Sequence, residues 1–212
     1  MIEEFKKYLL DNFNNIDNLD DKLKKLNDYY LFLIDYNKKI NLTRITDEED
    51  VYYKHFLDSL IPFKNIKLDG KKLFDIGSGA GFPGVVLAIF NPYLKVILCE
   101  SINKKAVFLD NLIKHLKLEN ALVYTGRAED YHKISKNKFD YITARAVSSI
   151  DNLLKYSVNL VDNNSTVILY KGLNYQDELK EVKTKKFLLK AKIDFNLPKE
   201  YGSRVCLIYT LR

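Results

Sequence analysis

Residues 73–84, Leu-Phe-Asp-Ile-Gly-Ser-Gly-Ala-Gly-Phe-Pro-Gly, constrain the fold more than any other stretch of the chain. Leu73 to Ile76 reads as the end of a buried strand, broken only by Asp75. Gly77, Gly79 and Gly81 then remove Cβ atoms at alternate positions, so that a ligand can lie against backbone. Pro83 suits the first turn of a helix, where its missing N–H would have had no partner. Strand, glycine loop and helix start together make the nucleotide-cradling corner of an α/β sheet.

Two fingerprints overlap here. Gly79, Gly81 and Gly84 spell G-x-G-x-x-G, the dinucleotide pattern, while Asp75, Gly77, Gly79 and Gly81 spell D-x-G-x-G-x-G, the pattern of S-adenosylmethionine-dependent methyltransferases. The second fits better. A carboxylate at the strand end would repel a pyrophosphate, whereas Asp75 can hold the amino group or balance the sulfonium of S-adenosylmethionine. The glycines also begin directly after the strand. A glycine loop alone is often an ordinary tight turn, so the rest of the chain decides.

Apolar residues at helical spacing over 1–60, with no Gly or Pro before Pro62, predict a helical N-terminal extension. Ile2, Phe5, Leu9 and Leu10 mark one helix, and Leu23, Leu26, Tyr30, Leu33 and Ile34 a second. A third is expected over 47–60, with Thr46 and Glu49 as its capping box. From Lys71 strands and helices alternate. Strands are expected at 72–76, 95–100, 121–125, 139–144 and 165–171, with helices at 83–90, 104–116 and 150–161 between them. Two further strands, 186–195 and 204–211, end the chain. This order predicts a mainly parallel, doubly wound sheet of seven strands in a Rossmann-like class I methyltransferase fold, with one C-terminal strand antiparallel. It divides the chain into a helical extension, 1–70, and a methyltransferase domain, 71–212.

Charge and composition limit the alternatives. Residues 1–70 carry 11 Lys/Arg against 14 Asp/Glu, and residues 71–212 carry 23 against 14. A basic second half suits a polyanion such as RNA, although 29 of the 34 basic residues are lysine and compositional bias gives the same sum. Cys99 and Cys206 lie in apolar runs and read as reduced core residues, and three histidines without ligand spacing predict no metal. No long apolar run or export segment is present, so a soluble cytoplasmic protein with no membrane contact, monomeric rather than an obligate oligomer, is expected.

Candidate site residues follow from strand ends. Glu100 closes the second strand, where an acid can accept both ribose hydroxyls. Ala128 is small enough to lie near an adenine, and Glu129 can accept its exocyclic amine; the bland reading of Arg127, Glu129 and Asp130 is a surface ion-pair cluster. Arg145 ends an otherwise apolar strand and needs a partner: a cofactor carboxylate, an RNA phosphate, Glu129 or Asp75. Lys171 can reach a phosphate or remain solvated. Asn41, Thr43 and Ser59 suit capping and interhelix hydrogen bonds. His55 and Asp58 share a helical face, beside the cofactor or as a structural pair.

Asn37-Lys-Lys-Ile-Asn41-Leu-Thr43, His55-Phe-Leu-Asp58-Ser59 and the run Phe74 to Gly84 resemble the bacterial small-subunit ribosomal RNA guanine-N7 methyltransferases, also called the glucose-inhibited division protein B family. Arg127-Ala-Glu129, Ala144-Arg145-Ala146 and Lys171-Gly172 fit the same pattern in the same order. The resemblance implies methyl transfer from S-adenosylmethionine to N7 of a guanine in the decoding-centre loop of 16S ribosomal RNA, free or in the small subunit. It places the cofactor on Gly77, Phe82, Ala128, Glu129 and Arg145, with Glu100 on the ribose. Asp75, Ser78 and Gly79 complete the candidate cofactor set, and Arg127 and Lys171 are candidate RNA contacts. Guanine N7 has a lone pair and no proton to lose, so no general base is required. Arg145 is then the candidate catalytic residue, acting by positioning. Three rivals remain: a same-fold methyltransferase for a small molecule or protein, a non-catalytic adenosylmethionine-binding regulator and a nicotinamide-dependent oxidoreductase.

Overall fold

The computed structural model describes residues 1–14, 16–172 and 175–212. Helices α1 (Ile2–Asn12) and α2 (Leu19–Asn37) open the chain. On α2, Leu26, Tyr29 and Leu33 recur at helical spacing and are fully buried, so this helix turns one apolar face into the core. The third helical segment departs from the expected regular helix. It comprises α3 (Glu48–Val51), a π-helical turn over Tyr52–Leu57, α4 (Asp58–Leu60) and a tight 3-10 turn over Ile61–Phe63. Its cap is Asp47, not Thr46: the Asp47 carboxylate accepts from the Asp50 amide at 3.2 Å. Glu49, the expected partner in that cap, instead binds Lys199 at 2.6 Å. Three of the aromatic side chains in the π turn, Tyr52, Tyr53 and Phe56, are at most 1 % exposed. The π turn is therefore core as well as connector.

Strands β1 (Lys72–Ile76), β2 (Lys95–Glu100), β3 (Ala121–Thr125), β4 (Tyr141–Arg145) and β5 (Thr166–Lys171) pair in parallel, and β6 (Phe187–Asn196) and β7 (Ser203–Leu211) form a hairpin. The order across the sheet is β3-β2-β1-β4-β5-β7-β6, with β7 antiparallel to β5. This is the expected seven-stranded class I methyltransferase sheet, and the expected antiparallel strand is β7. Helices α5 (Gly84–Phe90), α6 (Asn103–His115) and α7 (Ile150–Ser157) connect the parallel strands. Two short elements escape the sequence pattern: a 3-10 turn over Ala128–Lys133 and α8 (Tyr175–Lys180), both too short for a hydrophobic period to register.

Topology places the functional edge. From β1 the chain first moves outward through β2 and β3, then returns to the other side of β1 for β4 and β5. Register aligns Ile76 with both Cys99 of β2 and Ala144 of β4, so the carboxyl ends of the three strands finish together. In open α/β sheets that switch point is where ligands bind.

At the opposite, amino-terminal edge, Asn120 fastens the turn before β2. Its Nδ2 donates to the carbonyls of Ala88, Asn91 and Leu94, at 3.0 to 3.1 Å. Asn120→Ala leaves those carbonyls short of a donor and should lower unfolding free energy by about 1–3 kcal/mol in urea titrations. A change below about 0.5 kcal/mol would show that water replaces the amide without loss.

Candidate active site

The glycine loop is held from beneath by a buried carboxylate. Asp75 is fully buried; its Oδ1 accepts from Thr143 Oγ1 at 2.8 Å and its Oδ2 from the Gly84 amide at 3.2 Å. Ser78 Oγ donates to the Asp75 carbonyl at 3.1 Å. Burial pushes the Asp75 carboxyl up to about 6, against the opposing pull of Thr143, Ser78 and Gly84. In the structure the buried Asp75 side chain braces the loop and strand β4 from within, with one bond to each oxygen.

Above it the loop turns through positive φ at Gly77 (+66°), Gly79 (+58°) and Gly81 (+99°). Gly81 is required twice over, since a Cβ there would collide with the Tyr29 hydroxyl as well as adopt a strained backbone. That hydroxyl donates to the Ala80 carbonyl, and the Tyr29 ring stacks on Phe82 with centroids 5.4 Å apart. Helix α2 thus holds the loop from the outside.

Glu100, 5 % exposed at the end of β2, points back at the loop. Its Oε2 accepts from the Gly79 amide at 3.0 Å and its Oε1 from the Ile102 amide at 2.8 Å. An ionised carboxylate has about four acceptor sites, so two remain for a ligand. Gly77, Cys99, Arg127, Ala128, Glu129 and Val147 line a narrow crevice of about 60 Å³ beside it. Val147 lies directly over Gly77. Ala128 is buried, and Arg127 and Glu129 form no salt bridge among the described residues; Asp130 pairs with Lys133 instead, at 2.6 Å. The three-residue ion-pair cluster is therefore absent.

Of the side-chain partners weighed from the sequence, Arg145 bonds to neither Glu129 nor Asp75. Its Nη1 donates to Asp58 Oδ2 at 2.8 Å and to the Lys54 carbonyl at 3.4 Å, and its Nη2 lies 2.8 Å from His55 Nδ1. The guanidinium sits over the Phe82 ring, 5.0 Å from its centroid, and the His55 ring stacks on the same Phe82 at 4.4 Å. Phe82 is only 5 % exposed, enclosed by Tyr29, His55, Phe56 and Arg145. Its ring is the platform for Arg145 and His55. Arg204 completes the cluster, with Nε 3.6 Å from Asp58 Oδ1, an oxygen that has no hydrogen-bond partner among the described residues. Burial holds the Asp58 carboxyl above the usual range despite these two guanidinium groups.

Lys171 is also committed. Its Nζ donates to Glu178 Oε2 at 2.7 Å and to the Ser148 carbonyl at 2.8 Å, and its side chain is 8 % exposed. The free phosphate-binding lysine expected from the sequence is thus a paired one, because α8 brings Glu178 over it. Lys54, Arg145, Lys171 and Arg204, with Asp58 and Glu178, border an open cleft of about 570 Å³. Of the N-terminal polar residues, Ser59 Oγ donates to the His55 carbonyl and Thr43 meets His55, as interhelix bonding predicts; Asn41 is exposed. The sequence reading missed Arg204, Tyr29, Thr143 and Glu178. One signal was available for Arg204: it is one of only 5 arginines among 34 basic residues, and it opens the apolar run Val205 to Tyr209.

His55 carries a pH signature. Burial first, then the charge of Arg145, pushes its imidazole down to about 3. A base whose folded value lies below its unfolded value stabilises the fold fully above about 6.5, and that contribution is lost as pH falls toward 3. The stability difference between wild type and His55→Asn should therefore shrink by up to about 1.4 kcal/mol per pH unit between pH 6 and 4. A difference that does not vary with pH would mean that His55 titrates alike in the folded and unfolded chains.

Comparison with known proteins agrees with this geometry. The sequence profile of the family described as rRNA small subunit methyltransferase G matches residues 22–204. A ribosomal RNA small subunit methyltransferase G of Mesoplasma florum is 43 % identical over 188 residues, covering 87 % of this chain and 79 % of its own. The protein of the same name from Mycoplasma capricolum is 40 % identical over 202 residues, covering 93 % of this chain and 87 % of its own. Among solved structures, TrmN from Thermus thermophilus superposes with a TM-score of 0.57 over 76 % of this chain and 53 % of its own. At 13 % identity that likeness speaks for the fold alone, and the chain spans about half of TrmN.

Proposed function

The chain belongs to the rRNA small subunit methyltransferase G family, and from that premise we propose that it methylates N7 of one guanine in the decoding-centre loop of 16S ribosomal RNA, using S-adenosylmethionine. The observation that carries this reading is the juxtaposition of two cavities at one sheet edge. A glycine-loop crevice with an acid beside it adjoins a larger cleft bordered by four cations, and Val147 lines both.

The residues fit the cofactor. Gly77 and Gly79 offer bare backbone, Glu100 keeps two acceptor sites for ribose hydroxyls, and Ala128 with Glu129 suits an adenine. When bound, S-adenosylmethionine supplies an electrophilic methyl group on a sulfonium.

What the protein must add is alignment. Guanine N7 needs no deprotonation, so the reaction calls for no general base. Arg145 has five N–H groups and three are engaged, leaving two for a substrate. The methylated base gains positive charge, so a cation against its carbonyl edge would oppose the reaction. The free donors of Arg145 therefore suit an anion: a backbone phosphate or the cofactor carboxylate. Arg127 lies exposed at the crevice rim, where a phosphate contact is open to it. Lys171 contributes through the charge of the cleft and the placement of Ser148 more than as a free ligand. We further propose that residues 1–70 act as an extension of a catalytic domain over 71–212, and that the enzyme works as a cytoplasmic monomer. No helix among the described residues is long and apolar enough to cross a membrane.

Glu100→Gln should weaken S-adenosylmethionine binding about tenfold or more by calorimetry, the loss of one charge-assisted bond. Arg145→Lys, which keeps the charge but not the fork, should lower methylation of small-subunit RNA by about 10–100-fold. Unchanged binding in the first and unchanged rate in the second would remove both assignments. A substrate KM that does not rise with salt would favour a small-molecule substrate.

A further inference from the structure

We propose that His55 is a positioning residue: Arg145 imposes the tautomer with the lone pair on Nδ1, Thr43 holds the ring in place at Nε2, and this lock aims the two free N–H groups of the guanidinium at the anionic part of the nucleotide. The functional part of this inference rests on the reading above; the tautomer lock does not.

The argument begins with what arginine cannot do. A guanidinium has no acceptor and keeps its proton at any ordinary pH, so a ring nitrogen 2.8 Å from Arg145 Nη2 has to be the acceptor. His55 Nδ1 therefore carries the lone pair and Nε2 carries the proton. Nε2 lies 2.9 Å from Thr43 Oγ1, which already accepts from the Ile45 amide at 3.0 Å and accepts the imidazole N–H as well. Thr43 is itself fixed by Asn37, whose Oδ1 accepts from the Leu42 and Thr43 amides and whose Nδ2 donates to the Thr43 carbonyl. A chain of bonds thus runs from the end of α2 through Thr43 and His55 to the end of β4.

Packing closes the remaining freedom. His55 is 8 % exposed and stacks on Phe82, the ring that also carries the guanidinium. Among the described residues the charged groups acting on it are Arg145, Arg204 and Lys54, and the nearby Asp58 carboxylate is bound to the same guanidinium. Protonating Nδ1 would remove its bond and place a fourth cation among these three. The preference for neutral imidazole noted above agrees with this. Asp58 alone would leave Arg145 free to pivot about one ion pair; His55 supplies the second anchor that fixes the plane. A histidine that only filled space would need neither the Thr43 contact nor a defined tautomer.

The test uses full-length protein labelled with ¹⁵N-histidine. The expected spectrum shows His55 with an unprotonated Nδ1 and protonated Nε2, unchanged from pH 7.5 to 5. Thr43→Val removes the hydroxyl that holds the ring at Nε2 and should lower kcat for small-subunit methylation about tenfold, with KM for S-adenosylmethionine near wild type and the protein still folded at the assay temperature. His55→Asn, which keeps an acceptor near the position of Nδ1, should retain more activity than His55→Gln, which does not. A proton on Nδ1 in the wild type, or titration near pH 6.5, would overturn the lock; full kcat in both Thr43→Val and His55→Gln would overturn its role. If the wild type methylates no ribosomal RNA, the functional reading fails on its own, and the spectrum still decides the tautomer.

Discussion

The charge of Arg145 is the constraint around which this molecule is assembled. It ends a central strand whose Ile142, Thr143 and Ala144 are fully buried, in a place where an isolated guanidinium would be costly to desolvate. Asp58, His55 and the Lys54 carbonyl meet that cost from one helical segment, and Phe82 meets it from the glycine loop. The N-terminal helices and the sheet are thereby joined at the functional edge and not only through apolar packing. The π turn over Tyr52–Leu57 makes this possible. It carries His55 and leads directly to Asp58, so both reach the same guanidinium while Tyr52, Tyr53 and Phe56 stay in the core.

A second buried charge does comparable work one strand away. Asp75 ties β1, β4 and the start of α5 together, so the glycine loop is stiff before any ligand arrives. Glu100 adds a third point of attachment through Gly79. Three acids near the strand ends therefore have distinct duties. Asp75 braces the loop, Asp58 holds Arg145, and Glu100 both fixes the loop and keeps acceptor capacity. Preorganisation of this kind matters in a reaction that asks for alignment and no proton transfer. The cation-bordered cleft is likewise less free than its composition suggests, because Lys171 and Arg145 are already paired and Arg204 leans on Asp58.

Much of this was legible in the sequence, and the limits are instructive. The glycine triplet, the alternation of strands and helices and the final strand pair led to the correct sheet, with β1, β2 and β3 at their expected bounds. These features are local, and periodicity reads them well. The partners of Arg145 were not legible, since Asp58 lies 87 positions away and only the tertiary fold brings it near. The same holds for Thr143 beneath Asp75 and for Glu178 over Lys171. Asp75 and Phe82 were assigned to a ligand because their motif is a ligand motif. The structure also gives both an inner duty that the motif does not announce: Asp75 braces the loop, and Phe82 carries Arg145.

The most direct test of the account is transfer of labelled methyl from S-adenosylmethionine to naked 16S RNA and to intact small subunits, followed by nuclease mapping of the modified base. The account predicts label in a single 7-methylguanosine, lost when salt screens the basic cleft. Label on another atom or on several scattered bases, or none on either substrate while S-adenosylmethionine still binds, would contradict it.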